Sequence, residues 1–292
     1  MANLKEIRNR ITSVSSTMQI TSAMKMVSAA KLKRAQDAIT QMRPYAEKLK
    51  EILGNLSSSL DISENKYAEE RPVKDVLIVA VTSNRGLCGG FNNNVIKRVK
   101  REIKEQYSDV SVSVISVGKK AFDAFKNTEY NIRGSKLPKK MDELYNDLSF
   151  ENVAPAAQKI MDAFTEKRID KVVLVYNEFK NAATQLVQVE QFLPIQPNKI
   201  EGGTTNTDYL FEPSKVEIVK ELIPKSLKIQ FYKAILDSNA AEHGARMTAM
   251  HKATDNASDL RKELRLSYNK ARQAAITNEI LEIVAGAEAL EG

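Results

Sequence analysis

Apolar residues recurring at alternating steps of three and four mark both ends of the chain. From Leu4 the walk reads Ile7, Ile11, Val14, Met18, Thr21, Lys25, Ser28, Leu32, Ala35, Ile39, Met42, Ala46, Leu49, Leu53, Leu56 and Leu60. Only Thr21, Lys25 and Ser28 interrupt it, and there the stripe shifts sideways to Ile20, Met24 and Val27, as a stutter shifts a seam. Pro44 falls inside the pattern, which continues beyond it, so it predicts a kink rather than a helix end. At the other end, the stretch from about Ser214 to Ala287 has no proline after Pro224. There the walk gives Met250, Ala253, Ala257, Leu260, Leu264, Ser267, Ala271, Ala274, Asn278 and Leu281. A seam this narrow, repeating every seven residues, belongs to a coiled coil rather than to a helix lying on a globular core. Its residues are mostly small, which suits a closely approaching partner helix or a tip turning inside a snug sleeve. The first helix reaches roughly 85 Å and the last roughly 110 Å. Two such helices at opposite ends of one chain most simply pack antiparallel.

Between them the pattern changes period. After Leu60 the polar run from Asp61 to Pro72 reads as a linker. Asp75 to Ser83 is a continuous apolar run rich in β-branched residues, the mark of a strand buried on both faces, and a Gly-rich loop ends it. A helix follows near Asn93 to Tyr107. A strand from Val110 to Val117 comes next, then a short helix around Ala121 to Phe125. Residues 127–149 are irregular. Phe150 to Arg168 predicts an amphipathic helix with Pro155 in its first turns. Lys171 to Tyr176 is a further buried strand, and Thr184 to Leu193 an antiparallel edge strand. Strands alternating with helices argue for an open α/β sheet. The expected architecture is discontinuous. Residues 1–60 and 214–292 form an antiparallel coiled-coil shaft, and residues 72–212 an inserted Rossmann-like open α/β domain and foot.

Composition narrows the function. The chain has 292 residues, 28% charged and 42% hydrophobic, which is the balance of a soluble folded protein. No apolar run approaches the roughly 20 residues needed to span a bilayer. The N-terminus runs straight into the heptads and resembles neither a signal peptide nor a transit sequence. A single cysteine, Cys88, excludes an internal disulfide. These features favour a bacterial cytoplasmic location. The net charge of +7 invites a nucleic-acid partner, yet the cations are mixed with Glu and Asp and only 6% of residues are aromatic. No reading module or stacking platform is visible, so no nucleic acid is expected. One concentrated basic stretch, Lys25, Lys31, Lys33 and Arg34, is either a solvated face or a surface tuned to acidic partners.

Chemistry has few candidates. The loop Thr82-Ser-Asn-Arg-Gly-Leu-Cys-Gly-Gly-Phe-Asn92 lies after a strand and before a helix, where phosphate-binding loops sit. It matches neither G-x-G-x-x-G nor G-x-x-x-x-G-K-[ST], and no acidic residue ends an obvious second strand to hold a ribose. A structural tight turn and a nucleotide site remain the two readings. Cys88 reads as a buried spectator thiol. His243 and His251 lie two helical turns apart without acidic or cysteine neighbours at ligand spacing, which argues against metal. No catalytic residue, cofactor or metal site is expected.

Several stretches together resemble the gamma subunit of the rotary ATP synthase. One runs from Ile20 to Gln36, with Arg43-Pro-Tyr45 after it, and another is the glycine loop from Thr82 to Asn92. A third is Tyr209-Leu-Phe-Glu-Pro213. The most specific are Glu242-His-Gly-Ala-Arg-Met247, Ala253-Thr-Asp-Asn-Ala257 and Tyr268-Asn-Lys-Ala-Arg-Gln-Ala-Ala-Ile-Thr-Asn-Glu279. The resemblance covers the whole chain. Departures are small: Ala241 stands where the family commonly has serine, Gly244 where alanine is usual, and Gln19 where many members have lysine. Gly244 is expected to loosen the helix locally, by about 1 kcal/mol.

The resemblance implies a non-catalytic central rotor that couples ion flow through the c ring to ATP synthesis or hydrolysis on the beta subunits. Implied partners are three alpha and three beta subunits, the epsilon subunit and the c-subunit ring, at the cytoplasmic face of the bacterial plasma membrane. By the same resemblance Arg272, Gln273, Thr277 and Glu279 touch the surrounding subunits near the shaft tip. Met24, Lys25, Lys31, Lys33 and Arg34 face an acidic loop of beta, and Tyr209 and Glu212 belong to the foot on the c ring. Two other classes compete: a nucleotide-dependent enzyme using the glycine loop, which would bind ATP or NAD as an isolated chain, and a non-rotary coiled-coil adaptor, which would purify without alpha and beta subunits.

Overall fold

A computed structural model describes residues 4–57, 66–132, 137–195 and 215–291. At its centre is a four-stranded sheet in the order β2-β1-β3-β4. The strands are β1 (Asp75–Val81), β2 (Ser111–Val117), β3 (Lys171–Phe179) and β4 (Gln185–Leu193). The central strand β1 runs parallel to both β2 and β3, while β4 pairs antiparallel with β3 as an edge. The continuous apolar run of β1 follows from its place, because helices cover both faces. Leu77, Val79 and Val81 enter one core, with α4 (Phe150–Thr165) and the Ile223–Ile235 stretch of α5 (Lys215–Glu291). Val76, Ile78 and Ala80 enter the other, with α2 (Phe91–Gln106) and α3 (Lys119–Phe125).

Local chemistry closes the body. The β3–β4 hairpin turns on Asn181, whose Oδ1 accepts the N–H groups of Ala183 and Thr184. The polar run before β1 is anchored by Arg71, whose Nε donates to Asp170 Oδ1 at 2.7 Å and whose Nη2 donates to the Phe164 carbonyl at 2.8 Å. Part of the irregular 127–149 stretch protects the β2 edge through bridges at Asn131 and Lys140. At the end of β2, Gly118 has φ +98°, and a Cβ there would collide with the Thr82 carbonyl. The chain can bring the two strand ends this close only with glycine.

The flanking helices are α1 (Leu4–Ser57), which continues through Pro44, and α5, which holds Pro224 near its start. Two compact units divide the chain: residues 1–28 with 247–292, and residues 29–246. Within the first, Arg8 Nη2 donates to Tyr268 Oη at 2.7 Å and Thr254 Oγ1 donates to Thr21 Oγ1 at 2.8 Å. Moving forward on α1 from Arg8 to Thr21 thus moves back on α5 from Tyr268 to Thr254, an antiparallel register. No helix among the described residues is long and apolar enough to cross a membrane.

Two details of the seam differ from the sequence pattern. The stripe does not shift at Thr21: Thr21 and Ser28 stay buried and Lys25 half-buried, while Ile20 and Val27 are 60% and 57% exposed. Thr21 can sit in the seam because its hydroxyl finds both Thr254 and the Met18 carbonyl, and the Ser28 hydroxyl donates to the Met24 carbonyl. On α5 the seam runs through Met250, Thr254, Ala257, Arg261, Leu264, Tyr268 and Ala271, all buried or half-buried. Ala253, the half-buried alternative, neighbours Thr254, but Leu260 and Ser267 are exposed. Cross-helix polar pairs at Thr254 and Tyr268 set the register that an apolar walk misplaces by one residue.

This register separates two leucines. Leu264→Asp is expected to lower the stability of the helix pair by about 1–2 kcal/mol, since it places a carboxylate on a half-buried seam position. Leu260→Asp, at a position 42% exposed, is expected to change it by less than about 0.5 kcal/mol. Thermal melts of the two variants followed by far-UV circular dichroism check this; equal shifts would refute the register.

Candidate functional site

The loop after β1 stands where an open α/β sheet usually takes its ligand, beside the point at which the strand order turns from β2 to β3. Here the chain's own groups fill it. Asn92 Oδ1 accepts the Ser83 N–H at 2.9 Å, Asn92 Nδ2 reaches Cys88 Sγ at 3.1 Å, and Tyr145 Oη donates to the Thr82 carbonyl at 2.9 Å. The tip carries two left-handed residues on either side of Cys88: Leu87 at φ +62° and Gly89 at φ +60°. Cys88 is buried against Phe91, Ala241 and Ala245, and burial pushes its thiol pKa up, which makes it a poor nucleophile.

The strongest hold comes from α5. Arg246 Nη2 donates to the carbonyls of Arg85 at 3.1 Å and Gly86 at 3.3 Å. Its Nη1 donates to Glu242 Oε1 at 2.7 Å and to His243 Nδ1 at 3.3 Å. A guanidinium donates only, so His243 Nδ1 accepts, and the ring is neutral with its proton on Nε2. Burial first, then the nearby charges of Arg246 and Lys31, push the His243 pKa down to about 4. Two residues from Arg246, Gly244 has an unexpected reason to be glycine. A Cβ there would lie 3.2 Å from Ala182 Cα and 3.3 Å from Phe179 Cε2. The expected local loosening of the helix is therefore not its main effect: Gly244 is a close-packing point between α5 and the β3–β4 hairpin.

Two turns before Gly244, Asp237 is buried on the same helix. Its neighbours are charged groups from three other elements as well as its own: Lys233 on α5, Glu178 on β3, Glu190 on β4 and Arg43 on α1. The two glutamates are themselves held, Glu190 by Tyr176 Oη at 2.8 Å and Gln230 Nε2 at 2.7 Å, and Glu178 by Gln188 Nε2 at 2.6 Å. Burial raises the Asp237 pKa to about 6.

The residues singled out by resemblance fall in separate places. Met24 and Lys25 are half-buried on α1, whereas Lys31, Lys33 and Arg34 are exposed, and Lys33 pairs with Asp37 at 2.8 Å. Arg272, Gln273, Thr277 and Glu279 are all exposed on α5, with the Thr277 hydroxyl returned to the Gln273 carbonyl at 3.0 Å. Tyr209 and Glu212 lie outside the described residues. His251 does have an acidic neighbour: Asp255 approaches its Nδ1 at 3.4 Å as an exposed pair. Sequence reasoning quoted the Glu242–Met247 motif without giving Glu242, His243 or Arg246 a task. The available signal was their position, charged groups at helical spacing inside an otherwise apolar stretch.

The far end of α5 is the chain's largest chemical anomaly. By the register of Arg8 with Tyr268, Leu4 falls level with the turn around Arg272, and α5 continues to Glu291. Every residue from Arg272 to Ala287 is exposed, including Ile276, Ile280, Leu281, Ile283 and Val284. A helix with apolar residues bare on several sides is not satisfied by its own chain.

Asp237 yields a pH test. The folded chain keeps the Asp237 proton between about pH 4 and 6, where an unfolded carboxyl has already released it. Its contribution to stability is therefore greatest below about pH 4, falls as pH rises through about 6, and stays lost above. Asp237→Asn is expected to stabilise the chain by about 1–3 kcal/mol at pH 7.5, the gain vanishing near pH 4. Urea titrations at both pH values check this; a gain that is the same at both would refute the buried-acid account.

Comparison with known proteins agrees with this geometry. A family model described as ATP synthase matches residues 3–290. The ATP synthase gamma chain of Christiangramia forsetii is 63% identical, with 100% of each chain covered, and that of Flavobacterium johnsoniae is 62% identical over the same full coverage. A chain in the OSCP/F1/c-ring structure of Euglena gracilis mitochondrial ATP synthase superposes with a TM-score of 0.67 at 21% identity, covering 98% of this chain and 94% of that one. The structural likeness is one of fold; the sequence identity runs from end to end. The chain belongs to the ATP synthase gamma chain family.

Proposed function

We infer that the chain is the central rotor shaft of a rotary ATP synthase and carries no catalytic site of its own. The observation that carries this reading is the tip of α5, whose isoleucines, leucine and valine are exposed with no partner helix alongside among the described residues. Such a tip is satisfied by an apolar collar, which a head of alternating alpha and beta subunits would supply, three of each. Arg272, Gln273, Thr277 and Glu279 lie on the same bare stretch and would meet that head through polar contacts. The basic residues Lys25, Lys31, Lys33 and Arg34, beside Met24, would face an acidic loop of beta. Tyr209 and Glu212 would belong to the foot that meets epsilon and the c ring, on the cytoplasmic side of the membrane. In this reading residues 1–60 and 214–292 are the shaft, and residues 72–212 the body.

The loop after β1 supports the non-catalytic reading. Its Arg85 and Gly86 carbonyls are engaged by Arg246, and it lacks the lysine and spacing that grip phosphates. A shaft acts on sites it does not contain. Its faces differ, so each rotational position offers a beta subunit a different set of contacts, and nucleotide affinity shifts with the conformation those contacts favour. The same linkage runs backwards, so that hydrolysis on beta turns the shaft.

Tip residues separate assembly from folding. Ile280→Asp is expected to alter the stability of the isolated chain by less than about 0.5 kcal/mol, because Ile280 is 55% exposed there. In membranes it should reduce recovery of the alpha- and beta-containing complex by about tenfold, as burying an unpaired carboxylate in the collar costs several kcal/mol. Affinity purification through a tag on this chain, with quantification of co-purifying subunits, decides it; parental recovery would sink the collar reading.

A further inference from the structure

From Ala234 to Arg246, α5 is buried on almost all sides, and Asn239 alone reaches intermediate exposure. Yet this stretch carries Asp237, Ser238, Asn239, Glu242, His243 and Arg246. Burying polar groups is costly unless they are used directionally. Glu242, His243 and Arg246 are so used, in one hydrogen-bonded set. We propose that this stretch of α5 is the torque joint of the rotor, the place where the long helix is locked against turning on its own axis relative to the α/β body, with Arg246 as its positioning residue. The proposal rests on the rotor reading.

Polar and apolar contacts differ in direction. Apolar contact is non-directional, so a helix held only by a greasy stripe can rotate in its groove and exchange one packing for another. Hydrogen bonds weaken steeply with misalignment, and charge-assisted ones are the strongest. On one face of α5, Gln230, Asp237 and Gly244 recur every seven residues. Gln230 donates to Glu190 and to the Gln191 carbonyl of β4, and Gly244 lies against Ala182 and Phe179 of the β3–β4 hairpin. On another face, Ala241 and Ala245 pack on Cys88 and Phe91, and Arg246 grips the carbonyls of Arg85 and Gly86. The grip is itself braced, since Glu242 and His243 hold the guanidinium from one turn back. Turning α5 about its axis in either sense pulls Arg246 off the loop or drives a side chain into Ala182. The loop in turn continues β1, the central strand, so force on it reaches the sheet.

The test uses the chain alone and in the assembled membrane enzyme. In Arg246→Met, amide exchange at Gly86 to Gly90 in the isolated chain is expected to quicken about tenfold or more, while helix content stays at the parental level. In vesicles, ATP hydrolysis should remain within about twofold of parental, while ions pumped per ATP fall by about half or more. Arg246→Lys keeps the charge beside Glu242 and should recover part of the ratio. A merely structural arginine would move stability without moving ions per ATP. If Arg246→Met fails to assemble, Gly244→Val, which disturbs the opposite hold, is expected to give the same split. An unchanged pumping ratio in an assembled variant overturns the joint. Absence of alpha and beta partners around the unsubstituted chain would instead overturn the rotor reading, and the joint with it.

Discussion

One helix meets three different surroundings without a break, and most of the structure follows from how α5 satisfies each. Beside the sheet it is buried nearly all round, along α1 it is buried on a stripe, and beyond Arg272 it is bare. A uniformly amphipathic helix could not do this. The sequence changes with the surroundings: alanines and hydrogen-bonding side chains from Ala234 to Arg246, a sparse seam from Met250 to Ala271, and isoleucine, leucine and valine on several sides past Ala275. The sheet body draws on this helix from just before that first stretch, since Ile223 to Ile235 form part of its core.

The seam shows how specificity is set where adhesion is weak. Between Met250 and Ala271 the buried side chains are few and several are small, so little apolar area fixes how the helices align. Two polar pairs do it instead, Thr21 with Thr254 and Arg8 with Tyr268. A slip of one residue would separate both pairs and leave each threonine hydroxyl only a carbonyl of its own helix, Met18 for Thr21 and Met250 for Thr254. Polar groups in a coiled coil commonly trade stability for register, and these two pairs fit that exchange.

Most of the architecture was legible because it rests on period. The two long flanking helices declared themselves by repeats of three and four, and β1 and β3 by continuous apolar runs with β-branched residues. Pro44 did not mislead, since the pattern continues past it. What was not legible depends on partners far away in the chain. Nothing near Thr21 says that its hydroxyl will meet Thr254, so a walk on apolar identity preferred Ile20 and Val27 and supplied a stutter that the fold does not contain. The same bias chose Leu260 over Arg261. Gly244 looked like a flaw in a helix until Ala182 was seen against it. The charged motif from Glu242 to Met247 was visible as a motif, but its task depends on two loop carbonyls distant in sequence.

The glycine loop carries the last step. Its place after β1 is the place where open α/β sheets take phosphates, and its three glycines invite that reading. A phosphate cradle needs backbone N–H groups converging on an empty space, with cations to match. Here an arginine of the same chain approaches and takes carbonyls, the opposite polarity of contact. The glycines serve the turn: Gly89 takes a left-handed φ, and the Gly86 carbonyl is taken by Arg246. A fold built for binding a ligand at this point has instead bound its own helix. That substitution is what ties the helix to the α/β body, through Arg246 and the two loop carbonyls.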